Sequence, residues 1–230
     1  MKSNYTCRAI HAQTIGEGWI KSIKEVMDFG SLHYDEDIII KEILGLNIEI
    51  LNPKPEDHII KKYGDSAIVK RTLAKFRKGV VMLDRPFTYG ACIYDHSGVD
   101  QFEWMIERLL TKNETKSATI CLLTPGNQSA NLPCLTTIDA KIRNEKLVLQ
   151  FFFRSQNIFG RQYANLLALA RLQNDLSDRC SVGIGSLKGY IASAHIYEYD
   201  FSDAQLLISS KKVHIQDKYY TNGPKSIRIE

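Results

Sequence analysis

Cys134 follows a proline in "LPCLTTIDAKIRNEKLVLQFFFRSQN", and Arg154 with Ser155 closes the same stretch. A cysteine thiolate is a carbon nucleophile, and a neighbouring guanidinium raises the thiolate fraction. Arginine also grips phosphate through a planar fork, and a hydroxyl adds a further hydrogen bond. If one hairpin brings the two together, a single sheet end carries a nucleophile and an anion site. The plain alternatives are a small buried cysteine and a strand-end arginine in water. Further along, His195 and Tyr197 alternate with Ile196 in "SAHIYEYD" and so share one strand face. That face is either the solvent side or a pocket floor able to hydrogen-bond a sugar.

Positioning these residues takes strands and helices whose periods can be read. "GEGWIKSIKEVMDFG" has apolar residues at Trp19, Ile20, Ile23, Val26 and Met27, one helical face, with Gly30 as its stop. "DIIIKEILGLNIEILNPKP" predicts a strand or strand pair ending at Asn-Pro. "DSAIVKRTLAKFRKG" predicts a basic amphipathic helix capped by Asp65 or Ser66 and ended by Gly79. A further helix is expected in "SGVDQFEWMIERLLTK" and a buried strand in "SATICLLTP". "LTTIDAKI" and "KLVLQFFFR" flank "RNE" as a hairpin, followed by an apolar helix, "ANLLALARLQND", and a strand, "GYIASAHIYEYD". No repeat or Gly/Ser/Pro linker divides the chain. The reading is one α+β domain over residues 1–230, a mixed sheet with flanking helices.

Composition narrows the function classes. Charged residues are 24% and hydrophobic residues 44%, which suits a globular core. The net charge of +4 comes without a long basic run, so no nucleic-acid partner is expected. The five cysteines show no CxxC spacing, which argues against a zinc site or a disulfide framework. Cys92, Cys121 and Cys180 are read as structural. With no signal-like N-terminus and no membrane-length apolar run, no membrane partner and a cytoplasmic location are expected.

Taken together, the motifs from about Tyr89 to Asp200 resemble the thymidylate synthase and pyrimidine-nucleotide (dCMP or CMP) hydroxymethylase superfamily. "YGACIYDHSGVDQ" is similar to its YG…DQ segment, "LPCL" to its nucleophile loop, "RSQNIFGRQYAN" to its RS-x-D…N stretch, and "SAHIYEYD" to its HIY strand. Chain length and the last of these look closer to the small archaeal-type members. The resemblance implies a thymidylate synthase-like fold, a homodimer and a pyrimidine nucleoside monophosphate as substrate. It implies that Cys134 adds to C6 of the base and that C5 then takes a one-carbon unit from 5,10-methylenetetrahydrofolate. Tyr89 would order the water for proton removal at C5. Arg154 and Ser155 would hold the 5′-phosphate, His195 and Tyr197 the sugar, and Asn165 the base edge. A carboxamide matches uracil or, rotated, cytosine, so the base stays open. Lys116 is the cation at the position from which the family lends phosphate ligands across the dimer.

Four positions depart from the family pattern. Asn157 stands where its pterin-binding aspartate is expected, and "RQYA", with Arg161, replaces a run of small and apolar residues. Lys116 stands alone in "TKSAT" in place of paired arginines, and "IVKRTLAKF" presents no glutamate. Two functions are therefore carried forward. One is a pyrimidine nucleotide C5 methyl- or hydroxymethyltransferase; the other is a nucleotide-binding paralogue without folate-dependent transfer.

Overall fold

The computed structural model describes residues 8–82, 88–124, 132–210 and 227–229. Strand β1 (Arg8–Ala12) leads into helix α1 (Ile15–Phe29), which begins where the Thr14 hydroxyl accepts the Glu17 N–H. Trp19, Ile23, Val26 and Met27 are buried along its inner face, and Gly30 ends it. Strands β2 (Ser31–Asp35) and β3 (Ile38–Ile50) form a hairpin. The second predicted apolar segment is thus one long strand, and Gly45 at φ 81° supplies a backbone conformation that other residues resist. Helices α2 (His58–Tyr63) and α3 (Ser66–Lys75) follow, the latter capped by Asp65. Helix α3 stops short of Gly79 because Phe76 caps it and turns its ring onto Tyr89.

Strand β4 (Val80–Met82) precedes helices α4 (Tyr89–Tyr94) and α5 (Gln101–Thr111). The buried strand expected near residue 120 shrinks to β5 (Thr119–Cys121), an edge strand that among the described residues pairs only with the strand that follows it. Strands β6 (Leu135–Arg143) and β7 (Lys146–Phe153) meet through Asn144 and Glu145, at φ 50° and 58°, a turn whose twist matches the hairpin. The two-residue strand β8 (Gln156–Asn157) leads to helix α6 (Gln162–Cys180), then strand β9 (Gly183–Tyr197) and helix α7 (Phe201–Ser210). Strand β10 (Ile227–Ile229) pairs with β4 in a separate two-stranded sheet.

The main sheet runs β1-β3-β9-β7-β6-β5, with β2 on β3 and β8 on β9. Parallel pairs (β1 with β3, β7 with β9) alternate with antiparallel ones, so the sheet is mixed, as the sequence suggests. Helices α1, α5 and α6 cover one face. Helix α6 is pinned by Gln173, fully buried, whose amide N–H donates to the Leu147 carbonyl at 2.8 Å and the Gly185 carbonyl at 3.1 Å. The opposite face carries a polar row: Glu49, Lys188, Gln150 and Asp139 lie side by side in register, and Lys188 pairs with Glu49 at 2.8 Å. Beside that row, Tyr190 and Phe152 stack at 5.5 Å with both rings partly exposed. Among the described residues no helix is long and apolar enough to cross a membrane.

Trp19 ties the helical layer to the strand layer. Its indole N–H donates to the Ile158 carbonyl at 3.0 Å, and its ring lies 4.7 Å from that of Tyr163. Trp19→Phe leaves that carbonyl buried and unpaired, at a cost of about 1–3 kcal/mol. The expected outcome is a lower urea midpoint with an unchanged denaturant slope.

Candidate active site

The nucleophile candidate sits where a sheet ladder breaks. Between Leu135 and Thr137 the β6–β7 register shifts, leaving Thr136 as the extra residue, with its hydroxyl on the Phe152 carbonyl at 3.3 Å. Past this bulge the Arg154 N–H donates to the Cys134 carbonyl at 2.9 Å. The Arg154 side chain turns back on the same loop: Nε donates to the Pro133 carbonyl at 3.1 Å and Nη2 to the Leu132 carbonyl at 2.8 Å. Cys134 is half-buried and its thiol is free. Arg154 is exposed, and a guanidinium has further N–H donors beyond those two contacts.

Tyr89 reaches the loop from the other side, its phenol oxygen accepting the Leu135 N–H at 3.4 Å. Helix α4, which carries Tyr89, is capped by the Thr88 hydroxyl and lies against the end of α3. Contact there is so close that a Cβ on Gly90 would lie 2.0 Å from the Arg77 carbonyl oxygen. Gln101 adds a tie, its amide N–H groups donating to the Cys92 carbonyl at 2.8 Å and the Cys121 carbonyl at 2.9 Å. The YG…DQ motif is therefore largely scaffolding for one phenol: Asp100 caps α5 and Gln101 joins α4 to β5.

Strand β8 brings in the second half. Half-buried Ser155 follows Arg154, and Asn157 then pairs in register with His195, whose carbonyl accepts the Ile158 N–H at 2.8 Å. His195 is only 7% exposed, and burial lowers its pKa, while a backbone hydrogen bond at Ser193 and the carboxylates of Asp35 and Glu42 act in the opposite sense. The Tyr197 ring stands edge-on to His195 at 5.2 Å and stacks on Tyr199 at 5.2 Å. Its hydroxyl donates to the Asp35 carboxylate at 2.7 Å.

Asn165 is half-buried in the first turn of α6. The Asn157 carboxamide oxygen accepts the Gly160 N–H at 2.8 Å and so holds the turn into that helix. Lys116 is exposed in the α5–β5 connection, whose Glu114 carbonyl accepts from Arg143 at the end of β6 opposite Cys134. Of the remaining cysteines, burial raises the pKa of Cys92 and Cys180. Cys121, read from the sequence as merely structural, is exposed on the edge strand. Cys7 lies outside the described residues. Asp35 carried no signal in the sequence; only the fold brings it to Tyr197.

A mixed sheet broken by a bulge at a Pro-Cys loop, with an arginine on that loop and a buried histidine beyond it, defines a class of fold and site. The family model for thymidylate synthase matches residues 53–222, and the chain belongs to that family. A relative from Methanothermobacter marburgensis, provisionally named a thymidylate synthase, is 28% identical over 228 residues, covering 87% of this chain and 98% of its own. One from Methanococcoides burtonii, similarly named, is 30% identical over 209 residues, covering 87% of this chain and 94% of its own. A third, from Methanocaldococcus jannaschii, is 29% identical over 171 residues, covering 68% of this chain and 75% of its own.

The buried His195 gives the site a pH signature. Its folded-state pKa lies below the ordinary 6.5, so the unfolded chain takes up the proton first as pH falls. The stability this provides is present above about 6.5 and is lost as pH falls through the folded value. Urea midpoints measured from pH 8 down to pH 5 should therefore fall more steeply for the native chain than for His195→Gln.

Proposed function

We propose that this chain is a pyrimidine nucleoside monophosphate C5 one-carbon transferase working through a covalent adduct of Cys134. The observation that carries this is the single loop on which Cys134 and the Arg154 guanidinium meet, with the Tyr89 phenol against it. Arg154 and Ser155 take the 5′-phosphate, while His195 and Tyr197 take the sugar. Asn165 reads the base edge with one donor and one acceptor. The Cys134 thiolate bonds to C6, and the C5–C6 π electrons move toward C5 and O4, making C5 nucleophilic. After C5 gains carbon, its hydrogen leaves as a proton to water held by Tyr89, and expulsion of the thiolate restores the double bond.

In the family, methylenetetrahydrofolate typically supplies the one-carbon unit. The residues present do not match the family's pterin site. Asn157 offers a carboxamide whose oxygen already accepts from Gly160, in place of an anionic acceptor, and Arg161 stands at the start of α6. The chain's own groups thus account for activating C5, for taking its proton and for releasing Cys134, but hold no fitted site for the donor of the carbon. The same observation favours the second reading, a paralogue that binds the nucleotide without folate-dependent transfer.

Intact mass after incubation with 5-fluoro-pyrimidine nucleotides separates the two readings. The transferase forms an adduct that requires methylenetetrahydrofolate and is absent in Cys134→Ala. The paralogue binds nucleotide and forms none. Arg154→Ala should weaken nucleotide binding about ten- to a hundredfold, the effect of a lost charge-assisted contact.

The partner we propose is a second copy of the chain. The face opposite the helices exposes Leu44 at 69% and the Tyr190–Phe152 stack at 37% each. Two such faces packed back to back would cover them and let Lys116 of one copy approach the phosphate of the other. Sedimentation should give a dimer, and Tyr190→Glu with Phe152→Glu should shift it to monomer.

A further inference from the structure

Ribose and deoxyribose differ by one hydroxyl, and the sugar end of the proposed pocket holds a carboxylate suited to it. Asp35 lies at the end of β2, beside the turn into β3, where Glu36 has φ 54°. In the β2–β3 register it faces Ile38; Glu42 of the same strand faces His195. Asp35 is close enough to His195 to act on its titration, and it accepts the Tyr197 hydroxyl at 2.7 Å. That bond fixes what the cluster can offer a ligand. With its proton given to Asp35, the Tyr197 oxygen turns to a ligand only as an acceptor. The carboxylate accepts only. His195, buried and neutral, has one ring nitrogen that accepts. Glu42, on the same side, also accepts, from the Ser193 hydroxyl.

Such an acceptor-rich end is matched by a group with neighbouring donors and no negative charge. A phosphate there would meet two carboxylates, which leaves Arg154 as the phosphate end. A sugar 3′-hydroxyl alone provides one donor. The 2′,3′-diol of a ribose provides two adjacent ones, and a carboxylate on the 2′-hydroxyl is an established way of recognising ribose.

We infer that Asp35, held by Tyr197, is a specificity residue that selects a ribonucleoside over a 2′-deoxyribonucleoside monophosphate. This rests on the reading of the pocket as a pyrimidine nucleotide site. Asp35 is exposed at a hairpin end, so its replacement does not open the core.

The test is calorimetric affinity for UMP, dUMP, CMP and dCMP with the native chain, Asp35→Asn, Asp35→Ala and Arg154→Ala. The native chain should bind the ribose form of its base about tenfold or more tighter than the deoxy form, the effect of one hydrogen bond to a charged group. In both Asp35 variants that ratio should fall toward one, while Arg154→Ala weakens both sugar forms and keeps the ratio. Equal affinities in the native chain, a preference for deoxyribose, or an Asp35→Ala loss shared equally by both sugars would overturn the assignment of Asp35. The nucleotide reading would survive each of these. Absence of binding by all four nucleotides would overturn both.

Discussion

One irregularity in hydrogen bonding organises the candidate site of this molecule. Strands β6 and β7 run in register until Thr136 is squeezed out of the ladder; pairing resumes at Leu135 and Phe153, and one further backbone bond, Arg154 N–H to the Cys134 carbonyl, follows it. A regular ladder would place Cys134 as one more alternating side chain on a pleated surface. The bulge instead bends the strand and re-aims the cysteine, and the Arg154 side chain, just past the end of β7, stitches that end to the loop that enters β6. A loop held by its own carbonyls needs no core beneath it. That is how a half-buried thiol stays in a defined place at the rim of the sheet.

The two halves of the site differ in dielectric setting. Arg154 is exposed, so its charge is kept by water and its strength is that of a screened surface cation until a ligand displaces the solvent. His195 lies in the protein interior, where carrying a charge is costly and hydrogen bonding is worth more. A ligand spanning the two would meet a wet, cationic end and an end where buried His195 sits beside the Asp35 and Glu42 carboxylates. Such a difference would fix the direction of the proposed nucleotide before any base-specific contact forms. The ring series His195, Tyr197 and Tyr199 stiffens the His195 end, since each ring is limited by the next.

What could be read from the sequence follows the length of each signal. Helices α1, α3, α5 and α6 and the β6–β7 hairpin show several turns of period, or a cap and a turn residue, and each was visible. Strand β2 is exposed along its whole length and has no buried face to mark it, and β8 is two residues that exist only through pairing with β9. Helix α3 ended early because Phe76 had a tertiary use, as a wall against Tyr89, that no local rule contains. Around the site, Cys134, Arg154 and His195 stood out through the order of their motifs. Asp35 meets Tyr197 across a separation of 162 residues, and an acidic residue near a hairpin turn looks like any other. The DQ pair is legible as part of a motif, but its work as a brace between α4 and β5 exists only in the fold.

The buried amide of Gln173 has a mechanical meaning. It bonds helix α6 to two carbonyls at the β7–β9 register shift, and Asn165 lies two turns earlier on the same rod, about 12 Å along the axis. Any axial shift of helix α6 would move Asn165 by the full stroke. An anchor at the far end suppresses that motion without touching the pocket. If Asn165 reads the base as proposed, base discrimination has a remote tolerance: loosening Gln173 would blur the placement of a carboxamide it never meets.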